Sequence, residues 1–425
     1  MAKNSAQLEV KSFSCIDSAS LEISDMTVII GPQASGKSVL CKLLYFFQQA
    51  VVSLPKTLQE SSSLADAGNK ITEEFDEWFR PSSWGSRAFS IRFTVGDHWI
   101  QISRGRSKSQ SSRAKATFSE PLEATLSRGL RMLSNLRSDD SDEARILGMS
   151  WQNYDALSKA VHKPFEQVAR ESQLYIPAGR SFFTSIGKIV TAFEDRSMLD
   201  PVVTRFGRFI TSLREHQILE REPKPPLLKT LEKLIDGEVV NEKGKQFLAT
   251  PDGRSIPFSA LSSGQQELLP LLSSLQFALQ YSRHNPQLLY IEEPEAHLFP
   301  SAQTALVEMF AQMILIPKSA KQSQGIRTIL TTHSPYVLAK INNLIKAGEL
   351  ASKITAERRR DLAKIVSPAT WLTSSRVRAY AIHNRKLIDI KDDHGLINAD
   401  YIDDVSAETG MEFDQMLELE LSIER

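Results

Sequence analysis

Residues Gly31 to Ser38 read GPQASGKS, a complete G-x-x-x-x-G-K-S placed directly after the apolar run TVII and before SVLCKLLYFFQQAV. Glycines at both ends let the backbone curl until successive N–H groups point at one anion, and a helix starting at the second glycine adds the positive end of its dipole. In that setting Lys37 reaches the β- and γ-phosphates of a nucleotide and the Ser38 hydroxyl is a ligand for Mg2+. Gly31, Pro32, Gln33, Ala34, Ser35, Gly36, Lys37, Ser38 and Val39 are therefore the expected phosphate-binding residues. The motif requires a strand before it and a helix after it.

The flanking text meets that requirement. LEVKSFSCI and LEISDMTVII alternate as short strands do, and residues 38–51 carry enough apolar positions for a well-buried helix. From about residue 55 to 170 the text becomes rich in serine and charge and reads as an insertion, in which FSIRFTVGDHWIQISRG predicts a strand pair turning at Gly96 and Asp97. A second helical stretch over about 201–237 is broken at REPKPPLL, and GKQFLATPDGRSIPFSAL predicts a hairpin turning at Asp252 and Gly253. After it, LSSGQQELLPLLSSLQFAL reads as a loop entering a helix, QLLYIEE as a strand, SAQTALVEMFAQMILI as a helix and GIRTILTTHSP as another strand. This alternation predicts an α/β core assembled from the two ends of the chain.

The strand QLLYIEE ends in Glu292 and Glu293, with Pro294 next and a third carboxylate at Glu295. Adjacent residues of a straight strand point to opposite faces, so the two are expected to have different roles. Glu292 is assigned to Mg2+ through water, and Glu293 to the water that attacks the terminal phosphate.

Composition bounds the alternatives. Its 51 basic and 51 acidic residues cancel, so nucleic-acid contact needs a local patch, and Arg104, Arg106, Lys108, Arg113 and Lys115 form one candidate run. Two cysteines exclude a disulfide framework or a cysteine zinc cluster, and with no signal-like start or long apolar run the chain is expected to be soluble and cytoplasmic. Acidic residues crowd the stretch 389–425 but alternate with apolar ones, which reads as a docking surface or solvated tail rather than a two-metal centre.

Taken together, the motifs resemble the ABC-type ATPase head of structural-maintenance-of-chromosomes (SMC), RecF-like and OLD-like proteins. The resemblance implies an α/β fold, an ABC-type P-loop NTPase head with two lobes and helical insertions. Leu261 to Gln265, LSSGQ, is similar to the signature LSGGQ with Ser263 replacing a glycine. It implies that Ser262, Ser263, Gly264 and Gln265 complete the ATP site of an opposing copy, so that ATP joins a homo-oligomer. The family's magnesium residue is usually aspartate, and Glu292 stands in its place; His333 in THSP matches the switch histidine that senses the γ-phosphate. For the glutamine between the lobes Gln173 is the nearest candidate, while Arg180 in the same segment either approaches phosphate or supports the fold. The expected division is residues 1–54 and 251–385 as the two parts of the ATPase core, 55–250 as second lobe and insertions, and 386–425 as an acidic contact segment.

OLD-like proteins carry a Toprim nuclease after the ATPase, for which this chain is expected to be too short. With YIPAGRSFF and the compact insertions, this resembles the ATPase component of two-gene bacterial anti-phage systems of the PARIS type. That resemblance implies a homo-oligomeric scaffold holding a separate Toprim-type nuclease effector until a phage-encoded trigger releases it. The rival expectation is a RecF-like or SMC-like DNA-repair ATPase that binds DNA.

Overall fold

The computed structural model describes residues 6–105, 113–137, 151–186, 200–215, 234–242, 245–282, 285–316, 325–398, 411–412 and 415–416. Arg106, Lys108 and most of the acidic stretch lie outside them. The strands are β1 (Ala6–Phe13), β2 (Ile16–Glu22), β3 (Met26–Ile30), β4 (Phe89–Val95), β5 (His98–Arg104), β6 (Lys115–Phe118), β7 (Ser172–Ile176), β8 (Glu238–Glu242), β9 (Lys245–Ala249), β10 (Ser255–Pro257), β11 (Gln287–Glu292), β12 (Ile326–Thr332), β13 (Val377–His383) and β14 (Lys386–Asp389).

Every residue of β3 is buried, as a strand covered on both faces must be. It runs parallel between β12 and β13, and β11 and β7 continue the parallel run beyond β12. The full order is β6-β5-β4-β1-β2-β14-β13-β3-β12-β11-β7, and a separate small sheet holds β10-β9-β8. The α/β core therefore draws on both ends of the chain, as the alternation predicts. The segment 55–250 adds β4, β5 and β6 to one edge of that same sheet and β7 to the other, while β14 pairs with β13 across the expected boundary at residue 386.

Alternation along the strands splits the core in two. Leu288 and Tyr290 belong to one apolar cluster, and Leu289 and Ile291 to the other. Helix Lys37–Gln59 covers the first with Leu40, Leu44 and Phe47, and helices Ser263–Tyr281, Pro300–Leu315 and Pro335–Lys353 cover the second. Among the described residues Lys37–Gln59 is the one helix long and apolar enough to cross a membrane; here it is packed inside the fold.

β4 and β5 form the hairpin expected around Gly96, and their antiparallel wing buries alternate residues against helices Leu64–Trp78 and Glu120–Arg137. The hairpin at Asp252 and Gly253 also forms, as β9 and β10, but in the small sheet. Its first strand, β9, pairs with β8 on its other side.

Candidate nucleotide-binding site

Parallel strands end together, so the loops after β3, β12, β11 and β7 converge on one edge of the sheet. Ligands of open α/β sheets bind at such carboxyl ends. The loop after β3 is the glycine motif. Gly31 has φ 152° and Gly36 φ 110°, and a Cβ on Gly36 would stand 2.9 Å from both Cys15 Sγ and Ile16 Cγ1, so turn and close approach together require glycine there. Ala34 is also left-handed, at φ 57°.

Helix Lys37–Gln59 begins at this loop with no side-chain cap and no acidic residue in its first turn. Its leading N–H groups and the positive end of its dipole are directed at the loop. Ser38 is exposed at that helix start, and the Ser35 hydroxyl is buried without a hydrogen-bond partner. The Lys37 ammonium, almost wholly buried, donates to the carbonyls of Gly31 (2.8 Å) and Pro32 (2.9 Å). Burial depresses its pKa, opposed by the carboxylates of Glu293 and Glu295. Such a cradle has the donors a triphosphate needs.

β11 ends at Glu292, and the two expected carboxylates separate there. The separation does not come from simple strand alternation: Glu293 turns out of the strand at φ 43°, a left-handed position disfavoured for a side-chain-bearing residue. Glu292 is buried and accepts from the Tyr175 hydroxyl at 2.7 Å and the Ala178 N–H at 3.2 Å. Glu293 stays half-exposed, with Oε1 3.2 Å from His333 Nε2, an ion-pair separation without hydrogen-bond alignment. The neighbouring imidazole holds its carboxyl below the ordinary glutamate value; burial opposes this, and Lys37 and Arg180 add to the lowering.

Glu295 has a structural task that its sequence position did not reveal. Its Oε1 accepts from the Thr332 hydroxyl (2.6 Å) and the His333 N–H (2.8 Å), which fixes the main chain at the histidine. Tyr175 was missed as well, because its link to Glu292 spans 117 positions and exists only because β7 lies beside β11.

In the segment LSSGQ, Ser262 caps helix Ser263–Tyr281 in a reciprocal box with Gln265, and Ser262 and Ser263 are exposed. Gln265 is committed to that cap and to the Ile235 carbonyl, 2.9 Å away. Gly264 packs so closely on the loop after β11 that a Cβ there would lie 2.9 Å from the His297 carbonyl.

Gln173 sits at the start of β7, paired in register with Leu288, so about four residues or ~13 Å of strand separate it from the carboxylate edge. Its side chain bonds Gln49. Arg180 takes up the fold-supporting alternative: its guanidinium is fully buried among carbonyls and the Glu267 carboxylate. Of the described basic run, Arg104 is occupied by the carbonyls of Gly85 and Arg87 and lies over the Trp84 ring.

A glycine loop feeding an uncapped helix, with a buried lysine and strand-end carboxylates, defines a mixed α/β nucleotide-binding protein. The family model described as "AAA domain, putative AbiEii toxin, Type IV TA system" matches residues 26–339, about three quarters of the chain, and the chain belongs to that family. It is an ATP-binding protein. No curated protein matches it. Among solved structures, an SMC head bound to the C-winged helix domain of ScpA is 11% identical, covering 90% of this chain and 96% of its own, with a TM-score of 0.40. The SMC head domain from Thermotoga maritima is 12% identical over 91% and 98%, and the Smc head with an extended coiled coil derived from Pyrococcus furiosus, bound to the C-terminal domain of ScpA, is 11% identical over 97% and 98%. Both have TM-scores of 0.36. These superpositions are too loose to carry an argument.

Proposed function

We propose that the chain is an ABC-type ATPase head, two copies of which close on ATP and hydrolyse it at composite sites. The observation that carries this reading is the convergence of Lys37, Glu293 and His333 on one sheet edge while Ser262 and Ser263 are exposed at an uncharged helix start. Lys37 and the loop N–H groups bind phosphate. Glu293 orients the attacking water, with its carboxylate kept ionised beside His333. Ser38 and, through water, Glu292 would hold a Mg2+, and the ion would neutralise phosphate charge there. Exposed Phe299 and Tyr336, which follow the loops bearing His297 and His333, give the same region an apolar rim suited to a second copy.

Mixing tests the composite site. Lys37→Ala and Ser263→Arg chains should each be inactive alone. In a mixed dimer one site carries both lesions and the other neither, so mixing should restore about half the wild-type rate per active dimer. No restoration would refute sites shared between copies.

Downstream, work on DNA in the SMC-like or RecF-like manner is the preferred reading. Its support is the helix Ala356–Ile365, where Arg358 and Arg360 are exposed alongside Glu357 and Asp361, with Lys353 exposed at the end of the preceding helix. Salt-dependent duplex binding lost in Arg358→Glu/Arg360→Glu would bear it out. A second reading is in defence, where the head would control a separate Toprim-type nuclease under a phage-encoded trigger; the family's description names a type IV toxin–antitoxin system and neither of those partners. A nuclease retained through purification in place of DNA would establish that alternative.

A further inference from the structure

Arg180 and Glu267 lie outside any group that touches the nucleotide, yet they connect the parts that would. Arg180 follows β7, and its Nη1 donates to the Pro177 carbonyl at 3.2 Å and the Glu292 carbonyl at 2.6 Å. Its Nη2 donates to the Glu293 carbonyl at 3.0 Å, and its Nε to the Glu267 carbonyl at 3.3 Å. The Glu267 carboxylate stands 3.3 Å from Arg180 Nε and accepts the N–H groups of Arg180 (3.0 Å) and Ser181 (3.1 Å). Both side chains are essentially inaccessible, at 0% and 2% exposure.

A buried ion pair is a poor device for stability alone, since apolar side chains of like volume usually do as well or better. Its distinctive property is geometric. The planar guanidinium fixes several acceptors at once, and here those acceptors are the main chain of both candidate carboxylates and the signature helix Ser263–Tyr281. The Glu293 carbonyl is held just where the backbone takes its left-handed turn. Nearby, Gly264 abuts the His297 carbonyl, giving the signature helix and the loop after β11 a second point of contact.

We infer that Arg180 and Glu267 are positioning residues that make the Glu292–Glu293 turn and the signature helix one rigid body. ATP closure at a chain's own site is thereby passed to the signature that chain presents to the other copy. The inference rests on the composite-site reading and adds to it the route by which two sites communicate.

The test is the double variant Arg180→Met/Glu267→Gln in the full chain. It removes both charges together and keeps one oxygen that can accept from one of the two main-chain N–H groups, of residue 180 or of Ser181, that the carboxylate now serves. ATP affinity of dilute, unassociated protein should stay within about twofold of wild type, because the phosphate loop is untouched. Misplacing the Glu293 turn should lower kcat by about 100-fold, and the ATP dependence of the rate should lose its cooperativity, a change that a purely structural role would not produce. Glu267→Gln alone, which keeps the Arg180 fork on the carbonyls, should reduce cooperativity with a smaller loss of kcat, and it serves if the double variant does not fold. Wild-type kcat and cooperativity in either folded variant would overturn the inference alone. A wild type that binds ATP without associating or showing cooperativity would overturn the composite reading and this inference with it.

Discussion

Two stacked tyrosines offer a matched test of the charge at Glu292. Tyr175 and Tyr290 are both buried, with ring centroids 5.5 Å apart and planes 8° from parallel. Each hydroxyl donates one 2.7 Å bond, from Tyr175 to the Glu292 carboxylate and from Tyr290 to Gln48 Oε1. Burial pushes both phenols up, so both remain neutral donors at working pH. Phenylalanine at either position keeps the ring and removes only that donor. Loss of a bond to a charged acceptor costs about 2 kcal/mol and loss of one between neutral groups about 1 kcal/mol. Tyr175→Phe should therefore destabilise the protein about twice as much as Tyr290→Phe, a gap of about fivefold in the unfolding equilibrium. Urea unfolding of both variants at neutral pH measures it, and of the two only Tyr175→Phe should also slow phosphate release, because Glu292 loses its orientation. A Tyr290→Phe variant as destabilised as Tyr175→Phe would refute the reasoning that a buried carboxylate depends on the first hydroxyl.

Lys37→Ala should weaken ATP binding by more than 100-fold, since two charge-assisted bonds of about 1.5 kcal/mol or more each are lost; calorimetric titration showing less than a tenfold loss would count against the phosphate cradle. Glu293→Gln should still bind ATP but accumulate the ATP-bound, associated form with little phosphate release, and normal turnover would remove Glu293 from its role. Because its surroundings, His333 first among them, hold the Glu293 carboxyl below 4.5, the stabilisation that goes with its ionised form is present above that value and is lost as pH falls through the lowered one. The acid limb of the pH–rate profile should lie below 4.5 and move upward in His333→Ala; an unmoved limb would show that another group governs it.

Most of the nucleotide loop was legible because its chemistry is local. Gly31 and Gly36 are demanded by backbone geometry, Lys37 and Ser38 follow at fixed offsets on the first helical turn, and the apolar run before them marks a buried strand. Adjacent carboxylates at Glu292 and Glu293 also announced different surroundings, though alternation was the wrong reason for them. The left-handed turn at Glu293 depends on its main chain being held by Thr331 and Arg180, and those residues lie 38 and 113 positions away.

Gln173 shows the limit from the other side. Its neighbourhood in the chain is suitable, but β7 enters the sheet parallel to β11, which sends Gln173 to the far end and brings Tyr175, Ala178 and Arg180 toward the carboxylates. The amino-acid sequence by itself determined the phosphate loop, the strand–helix alternation and the identities of the charged groups, since these follow from local backbone preference and residue chemistry. Only the tertiary structure decided which of those groups meet, because strand order and register place residues more than a hundred positions apart within hydrogen-bond reach, and no local periodicity encodes that pairing.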